Sequence, residues 1–225
     1  MSPGSRHLLL AAAFASLLGT PASVAQNATK DAKFVPEVAS RAASEGNAAF
    51  LRKDYAGARK AYQRVLTLMP ESLVGLVNLG VVEHCAGNVG RAEELLKKAV
   101  SIRLENPAAW LTLGMIHMDQ EKFDEALADL SQAVLQDPRN PRARNFLGVV
   151  IGRKGWIDGA QSELRRAVEL DPSYSDAHYN LAVFYLEEKP PSTELARRHY
   201  FRAIELGAEK DAEIEKVLKL APTKS

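Results

Sequence analysis

The chain has 225 residues, 46% of them hydrophobic, with 29 basic and 28 acidic side chains and one cysteine. A balance this close to neutral gives no electrostatic ground for binding nucleic acid or an anionic membrane surface. One cysteine excludes an internal disulfide framework. Residues 1–25 read as an address: Arg6 and His7 make a short basic start, 8–18 is an apolar run, and Ser23-Val24-Ala25 is a small-residue cleavage site before Gln26. The apolar run is shorter than the roughly 20 residues a spanning helix needs, and Gly19 and Pro21 break its extension. Cleavage after Ala25 is expected, which places the mature protein in a periplasm or outside the cell. The alternative is an uncleaved anchor, the one form in which a membrane would be a partner. Cleavage removes one base, Arg6, and no acid. Residues 26–38 form a polar linker, in which Asn27-Ala28-Thr29 fits a glycosylation acceptor.

From residue 39 onward one pattern recurs every 34 residues. Gly46, Gly80, Gly114 and Gly148 are evenly spaced, with Ala182 in the next place. Ala58, Ala92, Ala126 and Ala160 keep the same step, as do Tyr62, Leu96, Leu130 and Leu164. Each period divides into two amphipathic helices joined by a polar turn. The units fall at 39–72, 73–106, 107–140, 141–174 and 175–208, followed by a capping helix at 209–221. Asn106-Pro107 and Asn140-Pro141 open the third and fourth units, an N-cap followed by proline at the first helical position. Gly87 and Gly155 suit internal turns that need a left-handed residue. Gly114 and Ala126 leave room for two helices to approach closely. In the first unit Glu45 stands where later units carry leucine, as an outermost helix facing water should. On the second unit's outer helix, Glu93 with Lys97 and Glu94 with Lys98 are spaced to pair. The fifth unit carries a two-residue insertion at Pro190-Pro191, after which the second helix is expected to restart at Ala196 with Ser192 as its cap. In the last helix, Ile214, Val217 and Leu218 form an apolar stripe that covers the end.

With Trp110, Leu113, Gly114, Ala126, Leu130 and Pro138, the third unit resembles the tetratricopeptide repeat, whose pattern is W-x₂-L-G-x₂-Y…A-x₃-F…P. The resemblance covers roughly residues 39–208. It implies an all-α fold: a right-handed α-solenoid of helix-turn-helix repeats closed by a C-terminal capping helix, in which no hairpin is stable alone. It also implies a concave groove lined by the first helix of each unit, holding a peptide segment of a partner protein. By spacing, that wall comprises Asn47 and Phe50, then Val74, Val77, Asn78 and Val81, then Leu111, Thr112, Met115 and Met118. It continues through Arg142, Asn145, Val149 and Arg153 to Tyr179, Asn180 and Val183. The wall is mostly apolar, with amides suited to a peptide backbone. Some members of the family clamp a chaperone tail's carboxylate with two asparagines and three basic residues. Asn47 and Asn78 match, but the basic positions hold Ala43, Ala108 and Thr112, so that clamp cannot form.

Nothing in the sequence reads as catalytic. The repeats use nearly the whole mature chain, and no phosphate loop, nucleophile elbow or H-E-x-x-H occurs. His84, His117, His178 and His199 are spread over separate helices, and zinc's three or four ligands cannot be assembled from them. Cys85 reads as a small buried residue. No enzyme activity, cofactor, metal, nucleic acid or small-molecule substrate is expected. The basic residues Arg139, Arg142, Arg144, Arg153 and Lys154 read as a solvated face balanced by Asp158 and Glu163. The primary reading is therefore an exported, non-enzymatic adaptor. The alternative is a self-assembling envelope component whose contacts lie at the ends of the stack or at the Pro190-Pro191 turn.

Overall fold

A computed structural model describes residues 37–219. The expected leader, most of the linker and the Asn27 acceptor lie outside them. The described residues form eleven helices and no strand. In chain order these are α1 (Glu37–Leu51), α2 (Tyr55–Leu68), α3 (Leu73–Cys85), α4 (Val89–Ile102), α5 (Pro107–Asp119) and α6 (Phe123–Gln136). They continue with α7 (Pro141–Arg153), α8 (Ile157–Leu170), α9 (Ser175–Glu187), α10 (Thr193–Glu205) and α11 (Ala212–Val217). No helix among the described residues is long and apolar enough to cross a membrane. Contacts group the chain into two compact units that meet in sequence between Gln120 and Glu121.

In the N-terminal unit α1 pairs with α2 and α3 with α4, while α2 packs on α3 and α4 on α5. The evenly spaced glycines explain how the hairpins close. A Cβ on Gly80 would lie 2.9 Å from Leu96 Cγ, and one on Gly46 would lie 2.8 Å from the Tyr62 ring. The glycine column of the first helices thus receives the bulky column of the second helices, ridge into groove. Arg59 of α2 forks onto buried Glu83 of α3 through bonds of 2.6 and 2.7 Å, joining the first hairpin to the second. Asn88 adds a third bond to the same carboxylate at 2.7 Å. The guanidinium, with Asn88, holds the Glu83 carboxyl below its ordinary pKa against the opposing effect of burial. Glu45 lies exposed and pairs with Arg64 at 2.7 Å, consistent with a polar outer helix.

In the C-terminal unit α7 pairs with α8 and α9 with α10, and α6 packs on α7 and α8 on α9. Gly148 repeats the close approach: a Cβ there would lie 2.8 Å from Leu164 Cγ and 3.0 Å from the Ala160 carbonyl oxygen. The asparagine caps form as the sequence predicts. Asn106 accepts from the Ala109 N–H at 3.2 Å, and Asn140 from the N–H groups of Arg142 and Ala143 at 3.1 Å.

Several local expectations change. The inserted turn feeds α10 at Thr193 rather than Ala196, and Ser192 precedes it without a side-chain cap bond, its hydroxyl instead serving Glu188. The last helix is one turn and a half, with Ile214 and Leu218 turned inward and Val217 out. Glu93 does pair with Lys97 at 2.9 Å, but Glu94 takes Arg91, at 2.7 Å. Among the basic residues of the fourth unit, Arg144 meets Glu163 at 2.6 Å, whereas Lys154 reaches Asp124 and lies 5.6 Å from the Trp156 ring centroid.

Candidate functional site

The first helices differ from the second helices in a way that marks a site. α4 is amphipathic and buries four residues, Ala92, Leu95, Leu96 and Ala99. Its partner α3 buries nine in succession, from Gly75 to Glu83. α5 buries eight in succession, from Leu111 to Met118. A helix apolar on all sides has no face for water. The first helices are therefore already covered within the chain, and the surface they leave to a partner is limited to half-buried positions such as Val74.

In the N-terminal unit this surface is formed by α1, α3 and α5, which contact one another in sequence. Val77 is 7% exposed, Val81 and Met115 1%, and Leu111 4%. The repeat spacing alone does not show how deeply these four sit. Val74 and Asn47 are half-buried. Asn47 accepts the Tyr62 hydroxyl at 2.5 Å. Asn78 acts on that hydroxyl from α3, yet its own Nδ2 is buried and makes no hydrogen bond of normal geometry. Burial pushes the Tyr62 phenol well above its ordinary pKa, so it remains a neutral donor. Thr112 returns its hydroxyl to the Ala108 carbonyl at 2.7 Å.

In the C-terminal unit the equivalent surface of α7 and α9 carries a polar group beside Val149 and Val183. Asn180 Nδ2 donates to Asn145 Oδ1 at 2.9 Å, and Asn145 Nδ2 donates to the Tyr174 hydroxyl at 3.4 Å. Arg142, half-buried, acts on both Tyr174 and Asp176. Desolvation raises the Asp176 pKa, with Ser175 and Arg142 opposing the rise. Desolvation also pushes the Tyr174 phenol up, reinforced by the Asp176 charge. Tyr174 escapes a reading by spacing because it precedes α9, whereas Asp176 stands in register with Val74 and Arg142 and could have been found. Tyr179 donates to Asp211 Oδ2 at 2.6 Å, and Asp211 Oδ1 caps α11. Its role is to fix the last helix. Arg153 is half-buried on the last turn of α7.

The histidines resolve into separate contacts. His84 meets Asp119 at 2.9 Å, His117 lies 3.9 Å from Glu93, and His178 faces His199. Burial, with Asp119, pushes the Cys85 thiol up to about 11, which keeps it protonated and unreactive. Among the described residues no three His, Cys, Asp or Glu side chains group to hold a metal ion.

Family models described as tetratricopeptide repeat match residues 85–149 and 163–205. Mouse neutrophil cytosol factor 2 is 32% identical over 93 residues, which is 41% of this chain and 17% of that protein. The shared stretch is thus about a sixth of the relative's length. Among solved structures, pilF of Pseudomonas aeruginosa superposes with a TM-score of 0.73 at 20% identity, covering 81% of this chain and 85% of that one. MamA superposes with a TM-score of 0.60 at 24% identity, covering 72% and 93%. YrrB, described as a TPR protein with an unusual peptide-binding site, superposes with a TM-score of 0.59 at 24% identity, covering 77% and 88%. These matches support a tetratricopeptide-repeat protein and establish the helical-repeat fold.

Proposed function

We propose that this tetratricopeptide-repeat protein is an exported, non-enzymatic adaptor that holds a peptide segment of a partner protein on the inner side of its first helices. The reading is carried by the repeat fold, with the half-buried Val74, Arg142 and Val183 on the first helices as positions a partner segment can touch. The peptide-binding site ascribed to YrrB, a protein of the same fold, agrees with this use of the fold. Export rests on residues 1–25. The absence of a catalytic constellation in the sequence, together with the common use of such repeats as adaptors, favours a binding role over turnover.

In this reading the half-buried Val74 of the N-terminal unit meets an aliphatic side chain of the partner. The Arg142–Asn145–Asn180 group of the C-terminal unit takes polar atoms of a partner segment. Glutamate at Val81 or Met115 would disrupt packing before it could report on binding, because each is 1% exposed. The half-buried positions Val74 and Val183 are the suitable probes. Photo-crosslinking side chains placed there, in protein recovered from intact cells, are expected to give a discrete partner adduct on a chain that begins at Gln26. The same probe at exposed Ser101 on α4 should give none. Equal labelling from Ser101, or a chain still beginning at Met1, contradicts the corresponding half of the proposal.

A further inference from the structure

In the fourth repeat, Arg144 on α7 and Glu163 on α8 form an ion pair at 2.6 Å, with side chains 16% and 25% exposed. One repeat later, thirty-four residues on from Arg144, stands His178. The counterpart of Glu163, allowing for the two inserted residues, is His199. Two residues that occupy the place of a permanent ion pair are both titratable. Their Nδ1 atoms lie 2.9 Å apart and their ring centroids 5.2 Å apart. His178 Nε2 lies 3.2 Å from the Pro172 carbonyl oxygen, and Tyr185 stacks on His199 at 5.6 Å between centroids.

The geometry dictates the protonation state. A carbonyl only accepts, so the proton of a neutral His178 sits on Nε2 and its Nδ1 offers a lone pair. His199 must then carry its proton on Nδ1 and donate it across the 2.9 Å contact. Two N–H groups cannot face one another at that distance, so a doubly protonated pair has to separate. The groups around the pair disfavour even one added charge. Arg198 and Arg202 on α10 act against a proton, and Asp171 at the end of α8 acts for it. Tyr185 of α9 offers a ring and no charge.

We propose that the His178–His199 contact is a proton-operated latch that joins α9 to α10 and to the α8–α9 turn, closed when both rings are neutral and opened by acid. Burial, then the neighbouring ring and Arg198, lower the His199 pKa to about 4, and burial lowers that of His178 as well. Both folded values lie below the unfolded value of about 6.5. The stabilisation is therefore complete above pH of about 6.5 and is lost as the pH falls from there towards about 4. The preceding hairpin, closed by Arg144 and Glu163, holds no histidine and serves as an internal control.

The test compares thermal unfolding of the protein with its His199→Asn variant at pH 7.5 and 5.0. Asparagine places an amide N–H where His199 Nδ1–H lies and does not titrate. The wild type is expected to lose several degrees more than the variant on acidification. An equal loss in both overturns the latch. Hydrogen exchange supplies the regional readout: protection should fall across 175–205 at pH 5.0 while 141–170 retains it, and an even loss over both overturns the proposal. If His199→Asn fails to fold, nitrogen NMR of the wild-type imidazoles decides. The expected result is two neutral rings at pH 6.0, with protons on His178 Nε2 and His199 Nδ1, and a charged ring at that pH contradicts the proposal.

Discussion

Gly148 and Gly152 sit one turn apart on α7, and each is small for a different reason. At Gly148 a methyl group would press on Leu164 and on the Ala160 carbonyl. At Gly152 it would fall 2.2 Å from the Phe184 ring, which is itself buried. Gly90, on α4, has open space around its missing side chain. Gly152→Ala is expected to lose about 1–3 kcal/mol through overpacking, despite the better helix propensity of alanine. Gly90→Ala should gain up to about 1 kcal/mol. Chemical denaturation of the two variants checks the contrast. Their spacing makes the glycines visible in the sequence, and the structure supplies what each meets. The pairing of His178 with His199 is hidden by the two inserted residues, which shift the second histidine out of the 34-residue register. Correcting that register places the pair on Arg144 and Glu163.

Among elements, the turn inside each hairpin shows how far composition can be read. Lys53, Gly87, Glu121 and Gly155 stand 34 residues apart, and all four have positive φ, between 58° and 87°. Only the two glycines announce the left-handed backbone. At Lys53 and Glu121 the hairpin imposes a conformation that costs an L-residue about 1–2 kcal/mol. Glu121→Gly is expected to be neutral to stabilising, by up to about 1 kcal/mol. Gly155→Ala should be destabilising by a similar amount. Melting curves of the two variants moving in the same direction would show that the turns are not equivalent. The short α11 is legible as a cover but not in its details. Asp211 caps it, Tyr200 donates to Asp211's carbonyl oxygen at 3.4 Å and accepts its N–H at 2.8 Å, and Arg197 bonds the Leu218 carbonyl at 3.1 Å. These tertiary bonds, rather than helix length, hold six residues in helical form.

At the scale of the whole molecule, the repeat period and the columns within it suffice to identify helix-turn-helix units. They do not show that the wall differs between the two compact units. The N-terminal one is aliphatic around Val77, Val81, Leu111 and Met115. The C-terminal one is an asparagine–tyrosine–arginine group. That difference is set by single residues at repeated positions, where Asn145 replaces Leu111 and Val77, so the period is unaffected. Depth of burial is likewise a tertiary property, since the same valine reads alike on an open or a covered wall. The account rests on the inner side of the first helices being the side that binds. Hydrogen exchange of the mature protein with and without its captured partner tests this most directly. Added protection on α3, α5, α7 and α9, with α2, α4, α8 and α10 unchanged, is the expected result; protection gained on the second helices instead would contradict it.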